Sequence, residues 1–187
     1  MARVLLLTGL PGVGKTTVMQ RLASLLAPGT FAGFFTEEIR RGGRRVGFGM
    51  TTWCGTERVL AHVDRKGGPR VGRYGVDIAA VDEVARTALN LEKPTSLYLI
   101  DEIGKMEALS RTFVEAMRAL LASNRVVVAT VAQKGGGFIG EVRGLPGAEL
   151  WTVTRSNRDG LPMAAASWVE RAVGGGAVGK PFKTGRP

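Results

Sequence analysis

The sequence predicts an α/β protein in which helices cover both faces of a mostly parallel sheet, with one antiparallel hairpin added. Residues 3–8, 97–100 and 126–131 are short apolar runs of the kind that form buried strands. Between them lie segments whose apolar residues recur every three or four positions, as on one face of a helix. Because strands and helices alternate, right-handed crossovers and a three-layer sandwich are expected. Ligands of such sheets bind at the carboxyl ends of the strands.

The first helix is predicted over residues 15–26, directly after the first strand. Its apolar face is formed by Val18, Leu22, Leu25 and Leu26. Two strand-like runs follow, at residues 34–39 and 46–52. Gly42 and Gly43 lie between these runs and predict an antiparallel hairpin, because glycine readily adopts the positive φ that tight hairpin turns need.

The middle of the chain is less regular. Residues 54–76 are rich in glycine, arginine and lysine and are expected to form loops, with only a weak strand candidate at 59–63. Asp77 is placed to cap a helix that follows it. The remaining predicted elements are helices at 113–121 and 163–173 and a last strand at 150–153.

The composition, with 187 residues, 44% hydrophobic and 22% charged, predicts one globular domain, which we place at residues 1–173. Residues 174–187 form a basic, glycine-rich tail that we expect to be disordered. Cys54 is the only cysteine, which excludes an intrachain disulfide and a thiolate metal cage. No apolar run approaches the roughly 20 residues that cross a bilayer, and no signal-peptide pattern is found. We therefore expect a cytoplasmic monomer without a membrane partner.

The formal net charge of +10 raises the question of a nucleic-acid partner. One dense basic group consists of Arg40, Arg41, Arg44 and Arg45, and the tail adds Lys180, Lys183 and Arg186. The other basic residues are scattered along the chain, which argues against a nucleic-acid surface. Scattered positive charge also attracts small anionic ligands. A nucleoside triphosphate is such a ligand.

A phosphate-binding loop, or P-loop, follows the first predicted strand. Its residues are Gly9, Leu10, Pro11, Gly12, Val13, Gly14, Lys15 and Thr16, and they match the pattern G-x-x-x-x-G-K-[ST] in full. The glycines let backbone N–H groups turn towards phosphates, and the helix that follows points its positive end at them. Lys15 is then expected to reach the β and γ phosphates, and Thr16 to offer its hydroxyl to Mg²⁺.

Two acids, Asp101 and Glu102, follow the apolar run at 97–100, as in a Walker B segment. Since adjacent strand residues point to opposite sides, only one of the pair is expected to face the metal directly. We assign the metal to Asp101 and the polarisation of the attacking water to Glu102. Lys105, just beyond the acids, is a candidate for a catalytic basic finger.

Further candidates are Arg40 and Arg45 for the basic finger and Thr130 for a contact with the γ phosphate. Each also has a simpler interpretation, because arginines are usually surface charges and Thr130 closes an apolar strand.

The chain resembles the THEP-type nucleoside-triphosphatases over residues 2–173. The resemblance rests on residues 9–17, 33–40, 45–48, 71–77 and 154–158, and above all on the Asp101-Glu102-Ile103-Gly104-Lys105-Met106-Glu107 segment. It implies slow, magnesium-dependent hydrolysis of several nucleoside triphosphates to the diphosphate and phosphate. It also adds Thr17, Asn157 and Arg158 to the nucleotide-binding set, the last two near the base. Residues 130–133 depart from the Thr-Ile-Pro run frequent in the family.

Two alternatives stay open at this point. A P-loop nucleotide or nucleoside kinase would need an acceptor site and a lid, and residues 54–76 are the segment that could hold one. Asp101 and Glu102 suit activation of water better than activation of a bound acceptor. The second alternative is a nucleic-acid-associated protein that uses nucleotide turnover as a switch.

Overall fold

The computed structural model describes residues 3–174, which form nine strands and five helices. The strands are β1 (Val4–Thr8), β2 (Phe31–Arg41), β3 (Arg44–Thr52), β4 (Glu57–His62), β5 (Arg70–Val71), β6 (Tyr74–Val76), β7 (Leu97–Ile103), β8 (Val126–Val131) and β9 (Glu149–Thr152). The helices are α1 (Lys15–Leu25), α2 (Ile78–Ala88), α3 (Arg111–Leu121), α4 (Gly137–Arg143) and α5 (Leu161–Gly174).

All nine strands form one sheet in the order β5-β6-β4-β3-β2-β7-β8-β1-β9. The strands from β2 to β9 in this order are parallel, which confirms the predicted parallel core. β1 lies between β8 and β9, so both of its neighbours supply backbone partners. The carboxyl end of β1 therefore lies inside the sheet, between the carboxyl ends of β8 and β9.

Helices cover both faces of the sheet, as predicted. On one face α1 and α5 pack against β1 and β8 through residues that include Met19 and Trp168. On the other face α2, α3 and α4 pack around Phe34, Phe113 and Phe138. The prediction placed Leu25 on the apolar face of α1, but its side chain is 49% exposed because the helix ends at this residue.

The prediction for residues 54–76 was correct only in part. The weak strand candidate at 59–63 corresponds to β4, but β5 and β6 were not predicted. The three strands extend the sheet in an antiparallel manner beyond β3. The strands were hard to detect because β5 and β6 are two and three residues long. In addition, β4 pairs with β3 through a register shift, so its burial does not alternate regularly.

The hairpin between β2 and β3 is confirmed, and Gly42 and Gly43 have φ values of 55° and 74° at its turn. β2 pairs with β7 only as far as Phe35, which lies opposite Asp101. The remaining residues, Thr36 to Arg41, continue past this point. At roughly 3.3 Å per residue they extend about 20 Å beyond the carboxyl edge of the parallel strands.

Side chains cap two of the helices. Asp77 accepts a hydrogen bond from the Ala80 N–H at 3.2 Å, as predicted, and Ser110 caps α3 by accepting one from Phe113 N–H at 2.9 Å. Helix α4 was not predicted, because its first turn begins in the glycine-rich segment at 135–137.

Helix α5 includes Gly174, the first residue of the predicted tail. The other residues of the predicted tail, 175–187, lie outside the described part of the chain. Within residues 3–174, no helix has the length and hydrophobicity that a bilayer crossing requires.

Gly33 allows β2 to approach β7 closely, which generates a stability prediction. Its φ is +113°, and a Cβ at this position would lie 2.1 Å from the Leu99 carbonyl oxygen. That oxygen also accepts a hydrogen bond from the Trp53 indole N–H at 2.8 Å. We expect Gly33→Ala to lower the free energy of unfolding by on the order of 3 kcal/mol or more, because strain and a backbone clash combine.

The matched control is Gly29→Ala, which has a φ of +78° but no atom within 4 Å of the added Cβ. It should cost only about 1 kcal/mol, the strain of the left-handed conformation alone. Urea unfolding of the two variants measures the difference. Equal losses would show that the close approach to Leu99 does not constrain residue 33.

Candidate active site

The P-loop connects β1 to α1 at the carboxyl edge of the sheet. Gly9 packs against the turn that follows β9, since a Cβ at this position would lie 2.6 Å from the Val153 carbonyl oxygen. Gly14 has a φ of 107° and immediately precedes Lys15, the first residue of α1. The glycines therefore let the loop fold tightly enough for the first N–H groups of α1 to face the same space, which suits an anion.

Lys15 connects the P-loop to strand β7, where the Walker B acids were predicted. Its Nζ donates a hydrogen bond to the Gly9 carbonyl at 3.3 Å and lies 3.5 Å from Glu102 Oε2. The Lys15 side chain is only 10% exposed and that of Glu102 is 31% exposed. The ammonium group is thus held at the mouth of the P-loop between a carbonyl and a carboxylate.

Asp101 joins three elements through two hydrogen bonds. Its Oδ2 accepts from the Thr16 hydroxyl of α1 at 2.6 Å, and its Oδ1 accepts from the Thr130 hydroxyl of β8 at 2.5 Å. The Asp101 side chain is fully buried. Burial raises the pKa of its carboxyl to about 6, and the two hydroxyls and Lys15 oppose this rise because they favour the ionised form.

Both acids of the pair reach the P-loop, Asp101 through Thr16 and Glu102 through Lys15. The expected alternation of adjacent strand residues does not hold strictly here. The reason is local, because the regular pairing of β7 with β8 is interrupted between Ile100 and Ile103.

The Thr16 hydroxyl and the Asp101 carboxylate fit a Mg²⁺ ion, which prefers oxygen ligands. In the described residues, no group of three or more histidine, cysteine, aspartate or glutamate side chains could hold a metal ion by itself. This agrees with the usual role of Mg²⁺ beside nucleotides, where water and phosphate oxygens complete its coordination. The residues are therefore suited to Mg²⁺ bound together with a polyphosphate.

Glu107, a third carboxyl group near the site, had no role assigned from the sequence. It lies in the three-residue 3-10 helix Glu107–Leu109 that follows β7, and it is 4% exposed. Burial raises its pKa to about 8, and the nearby charges of Glu102 and Asp101 add to the effect. A Cβ on Gly104 would lie 2.8 Å from Glu107 Oε2 and 3.1 Å from Glu102 Oε1, so a side chain at this position would displace these carboxyl groups.

Of Asn157 and Arg158, the two residues expected near the base, the turn after β9 brings only Arg158 to the P-loop. Arg158 Nη1 donates a hydrogen bond to the Val13 carbonyl at 3.2 Å. Asn157 instead holds the turn itself, as its Oδ1 accepts from Thr154 N–H at 2.8 Å and its Nδ2 donates to the Thr152 carbonyl at 2.9 Å. Asn157 thus orders the backbone from which Arg158 extends.

A cleft of about 220 Å³ lies beside the P-loop, on the side of Arg158. Its lining residues are Gly14, Thr17, Val18, Arg21, Arg158 and Asp159. Arg21 and Asp159 form an ion pair of 3.1 Å at its rim. Neither residue was predicted from the sequence, although Arg21 lies one helical turn after Thr17 and so shares its face of α1.

The residues predicted as candidate basic fingers form no hydrogen bond or ion pair with Lys15, Thr16, Asp101 or Glu102 in residues 3–174. Lys105 is exposed and makes no hydrogen bond or ion pair with any residue between 3 and 174. Arg40 and Arg45 both bind Glu38 on the distant hairpin, at 2.5 and 2.7 Å. Thr130 is close to the site, but its hydroxyl is engaged by Asp101.

The buried carboxyl of Glu107 generates a prediction about pH. Its pKa in the folded protein, about 8, lies above the ordinary value of 4.5, so folding takes up a proton and stability falls as the pH rises between these values. Glu107→Gln cannot ionise. The unmodified chain should therefore lose stability that Glu107→Gln keeps. We expect the free energy of unfolding of Glu107→Gln minus that of the unmodified chain to increase by roughly 3–5 kcal/mol between pH 4.5 and pH 9.

Urea unfolding across this pH range measures the difference. Glu57→Gln, a substitution at an exposed position of β4, is the control for removing one carboxylate. If the unmodified chain and Glu107→Gln lose stability in parallel, ionisation of Glu107 does not cause the loss at high pH.

The chain matches the family model described as NTPase over residues 4–165. Nucleoside-triphosphatase THEP1 of Thermotoga petrophila is 37% identical over 158 residues, which cover 84% of this chain and 87% of that protein. The cancer-related nucleoside-triphosphatase of Homo sapiens is 36% identical over 177 residues, covering 86% of this chain and 93% of the human protein. The crystal structure of THEP1 from Aquifex aeolicus superimposes with a TM-score of 0.79 at 34% identity, over 90% of this chain and 99% of that one. The resemblance noted in the sequence is thus confirmed, and the chain belongs to the NTPase family of nucleoside-triphosphatases.

Proposed function

We propose that this chain hydrolyses nucleoside triphosphates to the diphosphate and phosphate, with Mg²⁺ as cofactor. The observation that carries the proposal is the convergence of Lys15 and Thr16 on the P-loop side with Asp101 and Glu102 on β7. The names of the relatives support the same activity, since both are nucleoside-triphosphatases.

In this proposal each residue has a separate task. The P-loop N–H groups and Lys15 bind the β and γ phosphates, and Thr16 and Asp101 hold the Mg²⁺ ion. A Mg²⁺ ion held by these residues would supply positive charge to neutralise the phosphate oxygens. Glu102 orients and polarises the attacking water, for which its partial exposure of 31% leaves access. Thr130 positions Asp101 by its hydrogen bond from β8.

Slow turnover is part of the proposal. Between residues 3 and 174, no arginine is hydrogen-bonded or ion-paired to Lys15, Thr16, Asp101 or Glu102. A basic finger contributes about 10³ to 10⁵ in rate where it is present. Lys105 is exposed, and among residues 3–174 it forms no hydrogen bond or ion pair with any of these four residues.

We also propose broad base specificity, covering ATP, GTP, CTP and UTP. The cleft beside the P-loop offers the side chains of Arg21 and Arg158, whose planar guanidinium groups stack on any base. Thr17 and Asp159 are the other polar side chains that line it. Discrimination between bases requires a site built to hydrogen-bond one base edge, and this open cleft supports no strong preference.

Residues 54–76, the segment that could have held a kinase lid, contribute β4, β5 and β6 to the sheet. Phosphate release from each of the four triphosphates, with and without Mg²⁺ and without any added acceptor, tests the proposal. We expect release from all four, dependent on Mg²⁺. No phosphate release without an acceptor, together with formation of a phosphorylated nucleoside or nucleotide when an acceptor is added, would instead identify a kinase.

The two charged side chains of the Lys15–Glu102 pair should differ in their effects. We expect Glu102→Gln to keep nucleotide binding and to lose turnover by about 10² to 10⁴-fold, the usual contribution of a general base. Lys15→Ala should weaken both binding and turnover, because it removes a charge from the phosphates themselves.

Calorimetric titration and single-turnover hydrolysis measure the two quantities separately. Glu170→Gln, at an exposed position of α5, serves as the control and should behave as the unmodified chain does. Turnover of Glu102→Gln at the unmodified rate would assign the water-polarising role to another residue.

A further inference from the structure

The antiparallel part of the sheet carries an exposed group of arginines outside the proposed active site. Residues 40–73 include nine basic and only two acidic residues. Six of the arginines form what we call the arginine strip, namely Arg40, Arg41, Arg44, Arg45, Arg70 and Arg73. All six are exposed.

Hydrogen bonds link the two parts of this strip. Arg73 donates to the Arg45 carbonyl, and Arg70 donates to the Arg73 carbonyl. Arg45 also donates to the Tyr74 hydroxyl at 3.0 Å and lies over the Phe48 ring at 5.0 Å. The basic group of the hairpin is therefore continuous with that of β5 and β6, although about 25 residues separate them in sequence.

The arginine strip contains pairs of like charges that face each other across the hairpin. Arg40 lies opposite Arg45, and Arg41 lies opposite Arg44, in two successive cross-strand pairs. Like charges directly opposite each other destabilise a hairpin. Glu38 binds both Arg40 and Arg45 and offsets one charge, but Arg41 and Arg44 have no ion pair with any residue between 3 and 174. Like charges that face each other without an ion-pair partner destabilise the fold, and such unfavourable arrangements are typical of functional surfaces.

We propose that the arginine strip binds the phosphate backbone of nucleic acid. Its position supports an extended ligand, because the hairpin projects about 20 Å beyond the carboxyl edge of the parallel strands. The aromatic rings of Phe48 and Tyr74 are covered by arginines and are not available for stacking on bases. Recognition is then by phosphate charge and is independent of sequence.

An anionic membrane is the alternative polyanion, but the strip lacks the apolar component of a membrane-binding surface. Among residues 3–174 the large hydrophobic side chains that are exposed include none from 40–45 or 64–73. Membrane-surface binding combines basic residues with apolar side chains that enter the lipid. Phosphodiesters therefore match the strip better than lipid headgroups do.

The test measures binding of fluorescent 20-nucleotide RNA and a 20-base-pair DNA duplex by anisotropy over a range of salt concentrations. The variant is Arg41→Thr/Arg44→Thr, which removes two charges and leaves strand propensity intact. We expect a roughly 10- to 30-fold weaker affinity at 0.1 M salt. The slope of log affinity against log salt should become shallower by about 1.4 for RNA and about 1.8 for duplex DNA.

The matched control is Arg143→Ala/Arg171→Ala, which removes the same charge from exposed positions on α4 and α5. It should bind as the unmodified chain does, and triphosphate hydrolysis should be unchanged in both double variants. Three outcomes would each overturn the proposal. They are an equal loss of affinity in the control, displacement of the RNA by excess ATP, and binding only to anionic phosphatidylserine vesicles. So would no detectable binding at 50 mM salt. None of these outcomes bears on hydrolysis, which is measured separately.

Discussion

The structure depends most on one buried carboxylate, that of Asp101. It accepts hydrogen bonds from hydroxyl groups of Thr16 and Thr130, and so it ties the start of α1 to β7 and β8. A buried charge is costly unless it is well satisfied. The two threonines satisfy it on both oxygens, and this contact adds to the apolar packing that holds α1 against the sheet. The P-loop, which enters α1, is thereby held beside the acids of β7.

The parallel half of the molecule could be predicted because its signals are local and agree with each other. The apolar run of β1, the P-loop pattern and the apolar face of α1 occur in succession along one stretch of chain. The hairpin was equally accessible, since Gly42 and Gly43 mark its turn directly. The acidic pair was assigned to the site because it follows an apolar strand, and strands of one parallel sheet end at one edge.

What could not be predicted depends on contacts between distant residues or on very short elements. β5 and β6 have too few residues to show any periodicity, and each exists only through its pairing with a neighbour. Glu107 looks like an ordinary surface acid in the sequence, and its perturbed pKa results from burial under the folded chain. Arg21 and Asp159 are 138 residues apart, and no local pattern indicates that they meet at the cleft.

Strand β2 joins the two halves of the sheet, with a parallel neighbour on one side and an antiparallel neighbour on the other. Phe35, within this strand, lies in register with Asp101, while its last residues carry the first of the exposed arginines. The exposed tip of the hairpin and the backbone that pairs with Asp101 therefore belong to one continuous strand. A displacement of the tip would act on the same segment that pairs with β7.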